Sequence, residues 1–445
     1  MKILFVSLGC DKNLVDSEEM LGMLSKAGHD ITNEEQEADV VVVNTCAFIH
    51  DAKDESVENI LEMCELKKQG LLKGVIVTGC LAQMYQQDMK NEIPEIDAIL
   101  GTTSYEGIVD AVNAIERGEY IETFQDINYL PKVTEHRMVT TNANMAYLKI
   151  AEGCDKYCTY CVIPKLRGKF RSVPMEDLVA SAKRLVADGV KELVLVAQET
   201  TIYGVDIYGK KMLPELLKKL CAIEELAWVR LLYCYPEEID EALISVMASE
   251  PKICHYIDMP IQHASDEILK RMGRKTSKQE IIEKINALRF AMPDIAIRTT
   301  LITGFPGETE AHHEEVLDFI DEMEFNRLGA FTYSREDGTP AAEFDNQLNE
   351  DTKKERQEAI MELQQEISYE FNQKCIGNTY QVLVEGYLFD DDVYVGRSYM
   401  DAPSVDGYVF IHSHRELMSG TMVSVEITDC NEYDLIGVLR DEFTE

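Results

Sequence analysis

Six of the chain's twelve cysteines form two groups of three, and neither group has the fourth ligand that a closed tetrahedral zinc site needs. The compact group, in a CxxxCxxC pattern, consists of Cys154, Cys158 and Cys161. The dispersed group, in which each cysteine directly follows an apolar run, consists of Cys10, Cys46 and Cys80. Three thiolates on a cubane iron–sulfur cluster leave one iron open to another molecule. Both groups therefore favour a chemical role over a structural metal site.

Length and cysteine usage limit the class of protein. The 445 residues suggest roughly three domains, at about 150 residues per domain. The apolar run at residues 3–8 is too short for the core of a signal peptide, and no run of eighteen apolar residues predicts a membrane span. Without an export signal, the cysteines indicate a reducing cytoplasm, where clustered thiols bind metal more often than they form disulfides.

The N-terminal region alternates buried strands with amphipathic segments. Apolar runs at residues 2–8, 38–44 and 73–78 predict strands, and residues 17–28 and 52–68 have apolar side chains at helical spacing. Such alternation is typical of a doubly wound parallel sheet, whose ligands lie outside the carboxyl ends of the strands. The three dispersed cysteines are all at those ends, so one sheet could bring them together.

A second αβ pattern follows a polar segment that is predicted to be a linker. Its predicted helices include residues 175–188 and 277–290. Six strand candidates recur at residues 146–151, 192–197, 228–233, 255–259, 295–302 and 328–333. Six βα units suit an open, incomplete TIM-like barrel better than a second flat sheet. The compact cysteine group comes directly after its first strand.

The C-terminal region changes to short strands of period two. After a long charged helix at residues 349–373, strands are predicted at residues 380–385, 393–398, 407–412, 422–428 and 435–439. This pattern predicts a small antiparallel barrel. The predicted organisation is thus an N-terminal domain at 1–121, a linker at 122–144, a barrel domain with its trailing helix at 145–372, and a small barrel at 373–445.

Charge is the second informative property of the sequence. The chain has a formal net charge of −38, and residues 375–445 contain 14 Asp or Glu against 3 Arg and no Lys, a net charge of −11. Such a surface repels nucleic acid phosphates and favours basic partners. Solubility alone is the alternative explanation for the acidic balance.

The compact cysteine group, on the first strand of a barrel-like repeat, resembles the site of radical S-adenosylmethionine (SAM) enzymes. The resemblance implies a four-iron, four-sulfur (4Fe-4S) cluster on Cys154, Cys158 and Cys161, with SAM bound to the free iron. It further implies reductive cleavage of SAM to a 5′-deoxyadenosyl radical, which removes hydrogen from an unactivated carbon. A zinc site without its fourth ligand, or three core thiols, is the structural alternative.

The same resemblance implies SAM contacts at later strand ends. Gln198 and Glu199 end the second barrel strand, where this superfamily commonly places groups that hold the methionine moiety. Arg298 is expected near the SAM carboxylate or ribose. Gly304, in the turn at residues 301–308, would allow the backbone to approach the adenine. Each residue has an alternative role as a cap, an ion-pair partner or an ordinary turn residue.

The dispersed group, in Ser-Leu-Gly-Cys10, Asn-Thr-Cys46 and Thr-Gly-Cys80, resembles the N-terminal domain of methylthiotransferases. That resemblance implies a second 4Fe-4S cluster, which takes part in sulfur insertion. A single cysteine at a strand end is often only a small buried hydrophobe. The six cysteines without such spacing are expected to be packing residues: Cys64, Cys221, Cys234, Cys254, Cys375 and Cys430.

Four segments are similar to one branch of the methylthiotransferase family, at residues 7–17, 197–206, 256–265 and 396–406. This branch adds a methylthio group to the β-carbon of an aspartate in small-subunit ribosomal protein S-twelve. The resemblance implies SAM both as radical source and as methyl donor, together with an electron donor and a sulfur source. Two residues depart from the family pattern: Asp11 replaces a usual Pro, and Val173 replaces a usual Arg.

Two alternative functions fit part of the same pattern. The sister branch modifies an adenosine in tRNA, but its C-terminal barrel, called a TRAM domain, is expected to be basic because phosphate contacts need Lys and Arg. A net charge of −11 there makes nucleic acid an unlikely substrate and suits a basic ribosomal protein. An iron–sulfur electron carrier would need neither a six-unit barrel nor open irons.

Overall fold

The computed structural model describes residues 1–141 and 144–440, and it begins with a six-stranded parallel sheet. The strands are β1 (Lys2–Ser7), β2 (Asp30–Thr32), β3 (Val40–Thr45), β4 (Gly74–Gly79), β5 (Ala98–Leu100) and β6 (Ile121–Thr123). The helices are α1 (Asp11–Lys26), α2 (His50–Lys68), α3 (Cys80–Met84), α4 (Gln86–Glu92) and α5 (Ile108–Glu116). The strand order is β2-β1-β3-β4-β5-β6. Alternate valines of β3 enter separate cores on the two faces, so helices must cover both faces and the predicted doubly wound sheet is confirmed.

Two features of this first sheet differ from the sequence prediction. The sequence does not predict strands β2, β5 and β6, because they have only three residues each and are too short to give an alternation signal. Helix α1 begins at Asp11 rather than at residue 17. Its first turns bury Lys12, Asn13 and Asp16 instead of an apolar stripe, because they pack against polar groups of the next unit. Helical periodicity of apolar residues therefore misses this start.

The second unit is an open parallel sheet of six strands, in the order β14-β13-β12-β11-β10-β7. Its strands are β7 (Met145–Lys149), β10 (Glu192–Val196), β11 (Trp228–Leu231), β12 (Ile253–Asp258), β13 (Ala296–Thr303) and β14 (Arg327–Thr332), with the short pair β8 (Ala151–Glu152) and β9 (Arg171–Ser172) beside them. Its helices are α6 (Ile163–Arg167), α7 (Met175–Ala187), α8 (Val205–Tyr208), α9 (Leu213–Cys221), α10 (Glu241–Ser249), α11 (Asp266–Arg271), α12 (Lys278–Ala291), α13 (Glu310–Met323) and α14 (Glu350–Cys375). The six predicted strands are all present, so the partial TIM-like barrel is confirmed.

The segment predicted as a linker packs closely against helix α1. Residues 124–141 contain neither helix nor strand, and positions 142 and 143 of the predicted linker lie outside the described residues. Arg137 pairs with Glu18 through Nη2, and Thr140 donates its backbone N–H to Glu18 Oε1 over 2.6 Å. Arg137 Nη1 also donates to the backbone oxygen of Tyr147 over 2.7 Å. The segment thus connects the first unit to β7 through buried polar contacts.

The third unit is a closed barrel of five strands, in the order β15-β16-β17-β19-β18. The strands are β15 (Thr379–Leu388), β16 (Val393–Arg397), β17 (Val409–His412), β18 (Met422–Cys430) and β19 (Leu435–Leu439). Neighbouring strands pair antiparallel except for β17 and β19, which pair parallel. The predicted small barrel is confirmed, although residues 441–445 of the predicted domain lie outside the described residues. None of the helices in residues 1–141 and 144–440 is long and apolar enough to cross a membrane.

Buried ion pairs attach this barrel to the inner face of the second sheet. Glu192 accepts from Arg230 Nε over 2.7 Å and from Arg397 Nη2 over 2.6 Å, and all three side chains are fully buried. Arg397 Nε also pairs with Glu385 over 2.6 Å. Burial alone would raise the pKa of Glu192, but the two guanidinium groups hold it below its usual value. Arg230 lies on the same sheet as Glu192 and Glu385 lies in the same barrel as Arg397, so the pair that links the two units is Glu192 with Arg397.

Removing the central carboxylate tests this interface. Glu192→Gln leaves two buried guanidinium groups without their shared anion, which is expected to cost about 3–5 kcal/mol. We expect a lower thermal unfolding midpoint and faster protease cleavage between α14 and β15. Glu119→Gln is the matched control, because Glu119 pairs with Arg117 at the solvent-exposed surface. Equal behaviour of the two variants would contradict a structural role for the Glu192 pairs.

Candidate active site between the two parallel sheets

The dispersed cysteines lie at the carboxyl ends of three neighbouring strands. Strand β3 pairs with β4 such that Thr45 is opposite Gly79, which puts Cys46 and Cys80 at the same level, each one residue further along. The pairing of β1 with β3 continues beyond the strand through the Leu8 N–H, which donates to the Asn44 oxygen over 2.9 Å. Two residues later the chain reaches Cys10, the N-cap of α1. The parallel sheet thus brings the three cysteines to one edge.

Two glycines allow the backbone to pack tightly around these thiols. Gly9 has φ +90°, and a Cβ there would lie 2.8 Å from Cys46 Cβ and 3.0 Å from Cys46 Sγ. Gly79 has φ +93°, and a Cβ there would lie 2.4 Å from Asn44 Oδ1. A side chain at either position would meet both backbone strain and a clash. The residues before Cys10 and Cys80 are therefore glycines for steric reasons.

The three dispersed thiols interact with one another and with one buried cation. Burial raises the pKa of Cys80 to about 11, and the neighbouring Cys10 and Cys46 raise it further, while the Arg167 guanidinium lowers it. Burial also raises the pKa of Cys46, and Arg167 opposes that rise. Asn13 Nδ2 donates to the backbone oxygens of Leu8 over 3.1 Å and of Thr45 over 2.9 Å. Asn13 therefore links the loop that carries Cys10 to the strand end that carries Cys46.

The compact cysteines lie in the loop after β8, held by backbone hydrogen bonds. Cys161 N–H donates to the Cys158 oxygen over 3.0 Å, and Thr159 N–H donates to the Met272 oxygen over 2.9 Å. Burial raises the pKa of Cys154 to about 11 and that of Cys161 to about 12. The nearby Cys158 raises the pKa of both thiols further. Because these raised pKa values keep the thiols protonated, a metal that binds to them must displace their protons.

Gln198 and Glu199 leave two buried oxygens without hydrogen-bond partners. Gln198 Nε2 donates to Glu152 Oε1 over 2.9 Å, and Glu199 Oε1 accepts the Thr201 backbone N–H over 3.0 Å. Gln198 Oε1 and Glu199 Oε2 have no such partner, although Lys156 Nζ is 3.5 Å from Glu199 Oε2. Burial raises the pKa of Glu199 to about 7, against the lowering effect of Lys156. Unsatisfied buried acceptors are suited to a cationic amino group of a ligand.

Arg298 and Gly304, the other two predicted SAM contacts, have partners within the protein. Arg298 pairs with Asp258 over 2.8 Å and with Asp406 of the small barrel over 3.3 Å. Gly304 has φ +72°, and a Cβ there would lie 2.3 Å from Lys353 Cγ. The structure therefore supplies a docking role for the arginine and a packing reason for the glycine. Their contact with SAM remains a prediction.

The first sheet meets the second through residues that the sequence analysis did not assign to a site. Lys12 Nζ is 3.3 Å from the centroid of the Tyr233 ring, and Tyr233 Oη donates to Asp11 Oδ1 over 3.0 Å. The backbone oxygen of Tyr233 accepts from the N–H of Thr200, next to Glu199, over 3.1 Å. Both cysteine groups thus lie where the carboxyl ends of the two sheets face each other. Residue 233 ends a strand that the sequence predicts, but its left-handed backbone, with φ +59°, is not visible in a single sequence.

Asp11 and Val173, the two departures from the family pattern, have different surroundings. Asp11 takes part in the contact with Tyr233, directly after Cys10. Val173 is buried in the hydrophobic core of the second unit, and its backbone oxygen accepts from Tyr203 Oη over 2.8 Å. The valine therefore adds packing and brings no charge to the site.

Both cysteine groups supply thiolates, which are the ligands of iron–sulfur clusters. No three His, Cys, Asp or Glu side chains in residues 1–141 and 144–440 are close enough to hold one metal ion. All twelve cysteines are free thiols, so none of the six is committed to a disulfide. The donor sets and the unsatisfied oxygens nearby fit two iron–sulfur clusters and SAM.

Three family models match successive parts of the chain. Residues 2–101 match a family described as "Uncharacterized protein family UPF0004", residues 148–320 match the radical SAM superfamily, and residues 376–439 match the TRAM domain. The three matches fall on the first sheet, the second sheet and the closed barrel.

Similar curated proteins extend over nearly the whole chain. The chain is 59% identical over 437 residues to "Ribosomal protein uS12 methylthiotransferase RimO" of Lachnoclostridium phytofermentans, covering 98% of this chain and 99% of the relative. It is 50% identical to the protein of the same name from Clostridioides difficile, covering 98% of each.

Similar solved structures include TsrM, a radical SAM methyltransferase from Kitasatospora setae determined with cobalamin and a 4Fe-4S cluster bound. The TM-score is 0.55 at 13% identity, covering 85% of this chain and 77% of that chain. At this identity the likeness shows the fold alone.

Substitution of Gly9 tests the tight packing around the dispersed thiols. Gly9→Ala would push its Cβ into Cys46, so we expect the variant to lose one cluster's iron after anaerobic reconstitution with iron and sulfide. Gly28→Ala is the matched control, because Gly28 has φ +89° and nothing within 4 Å of its added Cβ. Both variants carry similar backbone strain, and only the first carries the clash. Full iron content in Gly9→Ala would contradict the assignment.

Proposed function

Since the chain belongs to the RimO family of methylthiotransferases, we propose that it adds a methylthio group to the β-carbon of an aspartate in ribosomal protein uS12. The geometry that carries this proposal is the placement of two thiol triplets at facing carboxyl ends of two parallel sheets, joined through Asp11, Lys12 and Tyr233. An enzyme that both activates a carbon and supplies sulfur to it needs two such centres near each other.

Each thiol triplet is proposed to hold one 4Fe-4S cluster. Cys154, Cys158 and Cys161 would hold the cluster that binds SAM, and the dispersed group, Cys10, Cys46 and Cys80, would hold the cluster involved in sulfur insertion. When bound, this cofactor set would pass on an electron from an external donor and would supply the carbon radical and the methyl group of the reaction. The protein's task is to position these groups and to exclude water.

Glu199 and Gln198 are proposed to hold the amino-acid end of SAM. Their unsatisfied oxygens, Glu199 Oε2 and Gln198 Oε1, can accept hydrogen bonds from the amino group of SAM. Thr201 fixes the Glu199 carboxylate through its backbone N–H, and Glu152 fixes the Gln198 amide. Glu199 Oε2 is therefore already held in place, so ligand binding costs little further side-chain entropy.

The partners follow from the chemistry and from the charge of the chain. Reductive cleavage of SAM needs an external electron donor, and each sulfur inserted needs an external source. The acidic C-terminal barrel suits a basic ribosomal protein, and the relatives similar over the full length are named for uS12. The reaction would occur in the cytoplasm, where ribosomes and reduced thiols are found.

The two thiol groups should fail in different ways when substituted. The reconstituted protein would be incubated with SAM, sulfide, a strong reductant, ribosomes and bulk tRNA, and the products analysed by mass spectrometry. Cys161→Ala should lose both 5′-deoxyadenosine formation and methylthiolation. Cys46→Ala should lose methylthiolation but still form 5′-deoxyadenosine. Cys64→Ala is the control, because Cys64 is a buried packing residue of the first sheet and should leave both products in place.

Three outcomes would decide against the proposal. Methylthiolation of tRNA alone would support the sister activity. Absence of 5′-deoxyadenosine from the unsubstituted enzyme would exclude radical SAM chemistry. Retained methylthiolation in Cys46→Ala would exclude a second cluster at the dispersed thiols.

The ionisation of Glu199 predicts a pH dependence of SAM binding. Burial raises the Glu199 pKa to about 7, so the carboxylate that accepts a hydrogen bond from the SAM amino group is lost as the pH falls. If only the ionised form binds, SAM affinity should be about tenfold weaker at pH 6 than at pH 8. Glu199→Gln should bind weakly at both values. Equilibrium dialysis with the reconstituted protein measures both, and an unchanged profile in the variant would exclude this role.

A further inference from the structure

Arg167 belongs to the second unit but its guanidinium group lies against the first. It ends α6, six residues after Cys161, and its side chain is only 2% exposed. Nη1 donates to Asp16 Oδ2 over 2.7 Å, and Nη2 bonds to Asn13 Oδ1. Both partners are on α1, the helix that Cys10 caps. A cation from the domain of the compact thiols is thus built into the wall of the dispersed site.

Arg167 is part of a buried and balanced group of four charges. Lys149 pairs with Asp16 and, over 2.9 Å, with Glu152, while Arg167 Nη1 is 3.2 Å from Glu152 Oε2. Two cations and two carboxylates therefore compensate one another, and none of the four side chains is more than 10% exposed. Gln198 donates to the other oxygen of Glu152. The group extends from the dispersed thiols to the residues beside Cys154.

The dispersed thiols are the other neighbours of this guanidinium. Arg167 lowers the thiol pKa of both Cys46 and Cys80 against the larger effect of burial. In the reverse direction, Cys80 and Cys10 stabilise the charged form of Arg167 and raise its pKa against its own burial. Asn13, the partner of Nη2, has its Oδ1 3.9 Å from Cys80 Sγ. Arg167 therefore lies beside the dispersed thiols, and Asn13 links its guanidinium group to Cys80.

A fixed cation acts on a thiolate-bound cluster by favouring its more negative redox state. Reduction adds one negative charge, and net charge and hydrogen bonding are among the factors that set cluster potentials. In a buried site this interaction is poorly screened. We propose that the positive charge of Arg167 raises the reduction potential of the cluster on Cys10, Cys46 and Cys80. This inference rests on the proposed function, since it requires a cluster at that site.

Redox titration of the full-length protein tests the proposal directly. The parent variant would carry Ala at the compact thiols, Cys154, Cys158 and Cys161, so that only the dispersed site is loaded with iron and sulfide. Its reduction would be followed by electron paramagnetic resonance under anaerobic conditions. We expect Arg167→Gln to lower the ratio of reduced to oxidised cluster at fixed potential at least tenfold, which is about 59 mV for one electron.

Two further variants separate charge from structure. Arg167→Lys keeps a cation and should stay close to the parent. Asp16→Asn removes a carboxylate that neutralises Arg167, so it should shift the potential in the opposite direction, toward easier reduction. This opposite sign also decides the matter if Arg167→Gln does not retain a cluster. A merely structural role for Arg167 predicts no relation between the sign of the shift and the charge removed.

The matched control is Arg137→Gln. Arg137 is also a buried arginine that pairs with a carboxylate of α1, here Glu18, but its other partner is the backbone oxygen of Tyr147 rather than Asn13 beside Cys80. It should leave the potential unchanged. Equal shifts in Arg167→Gln and Arg137→Gln, or the same sign for Arg167→Gln and Asp16→Asn, would overturn the inference. Failure of the parent to assemble any cluster would instead contradict the proposed function.

Discussion

Buried charges between the folded units are the constraint on which the arrangement of the site depends. Removing a carboxylate or a guanidinium from water costs several kcal/mol, and only a well-placed partner compensates that cost. Glu192 gains Arg397 as its second partner only when the small barrel is docked, and Asp16 has Lys149 and Arg167 as partners only when the first sheet is docked. Burial of apolar area has no preferred direction, so by itself it would allow several similar orientations of two units. The buried ion pairs allow few of these orientations, because each charge must meet its partner. Helix α1, which begins directly after Cys10, is therefore held against the second unit by charge pairing as well as by the packing of Val15.

The sequence was sufficient for the fold class and for the position of the thiols, because both follow from local patterns. Apolar runs predict the strands, and parallel pairing then places Cys46 and Cys80 at the same level without further information. The ion pairs follow no local pattern: Glu192 and Arg397 are 205 positions apart. The early start of α1 was missed for the same reason, since its buried face is polar and matches a partner far along the chain.

Residue type alone could not separate a ligand contact from a structural one. An arginine within a strand and a glycine directly after one suit both SAM binding and internal packing, and Arg298 and Gly304 have clear internal partners. Arg167 shows the converse case, because a short helix after the compact thiols gives no sign that its last side chain reaches another domain. Its role depends on what surrounds the guanidinium, which only the folded chain determines.

The burial of one arginine in the C-terminal barrel also bears on the choice between protein and RNA as substrate. Residues 375–445 contain three arginines and no lysine, and one of the three, Arg397, is fully buried against Glu192 and Glu385. It is therefore unable to contact a phosphate. Arg415 and Arg440 are the remaining cations of a surface that includes Asp390, Asp391 and Asp392 at the β15–β16 turn. Because phosphate binding requires several exposed cations, the barrel's charge opposes a nucleic acid and attracts a basic protein.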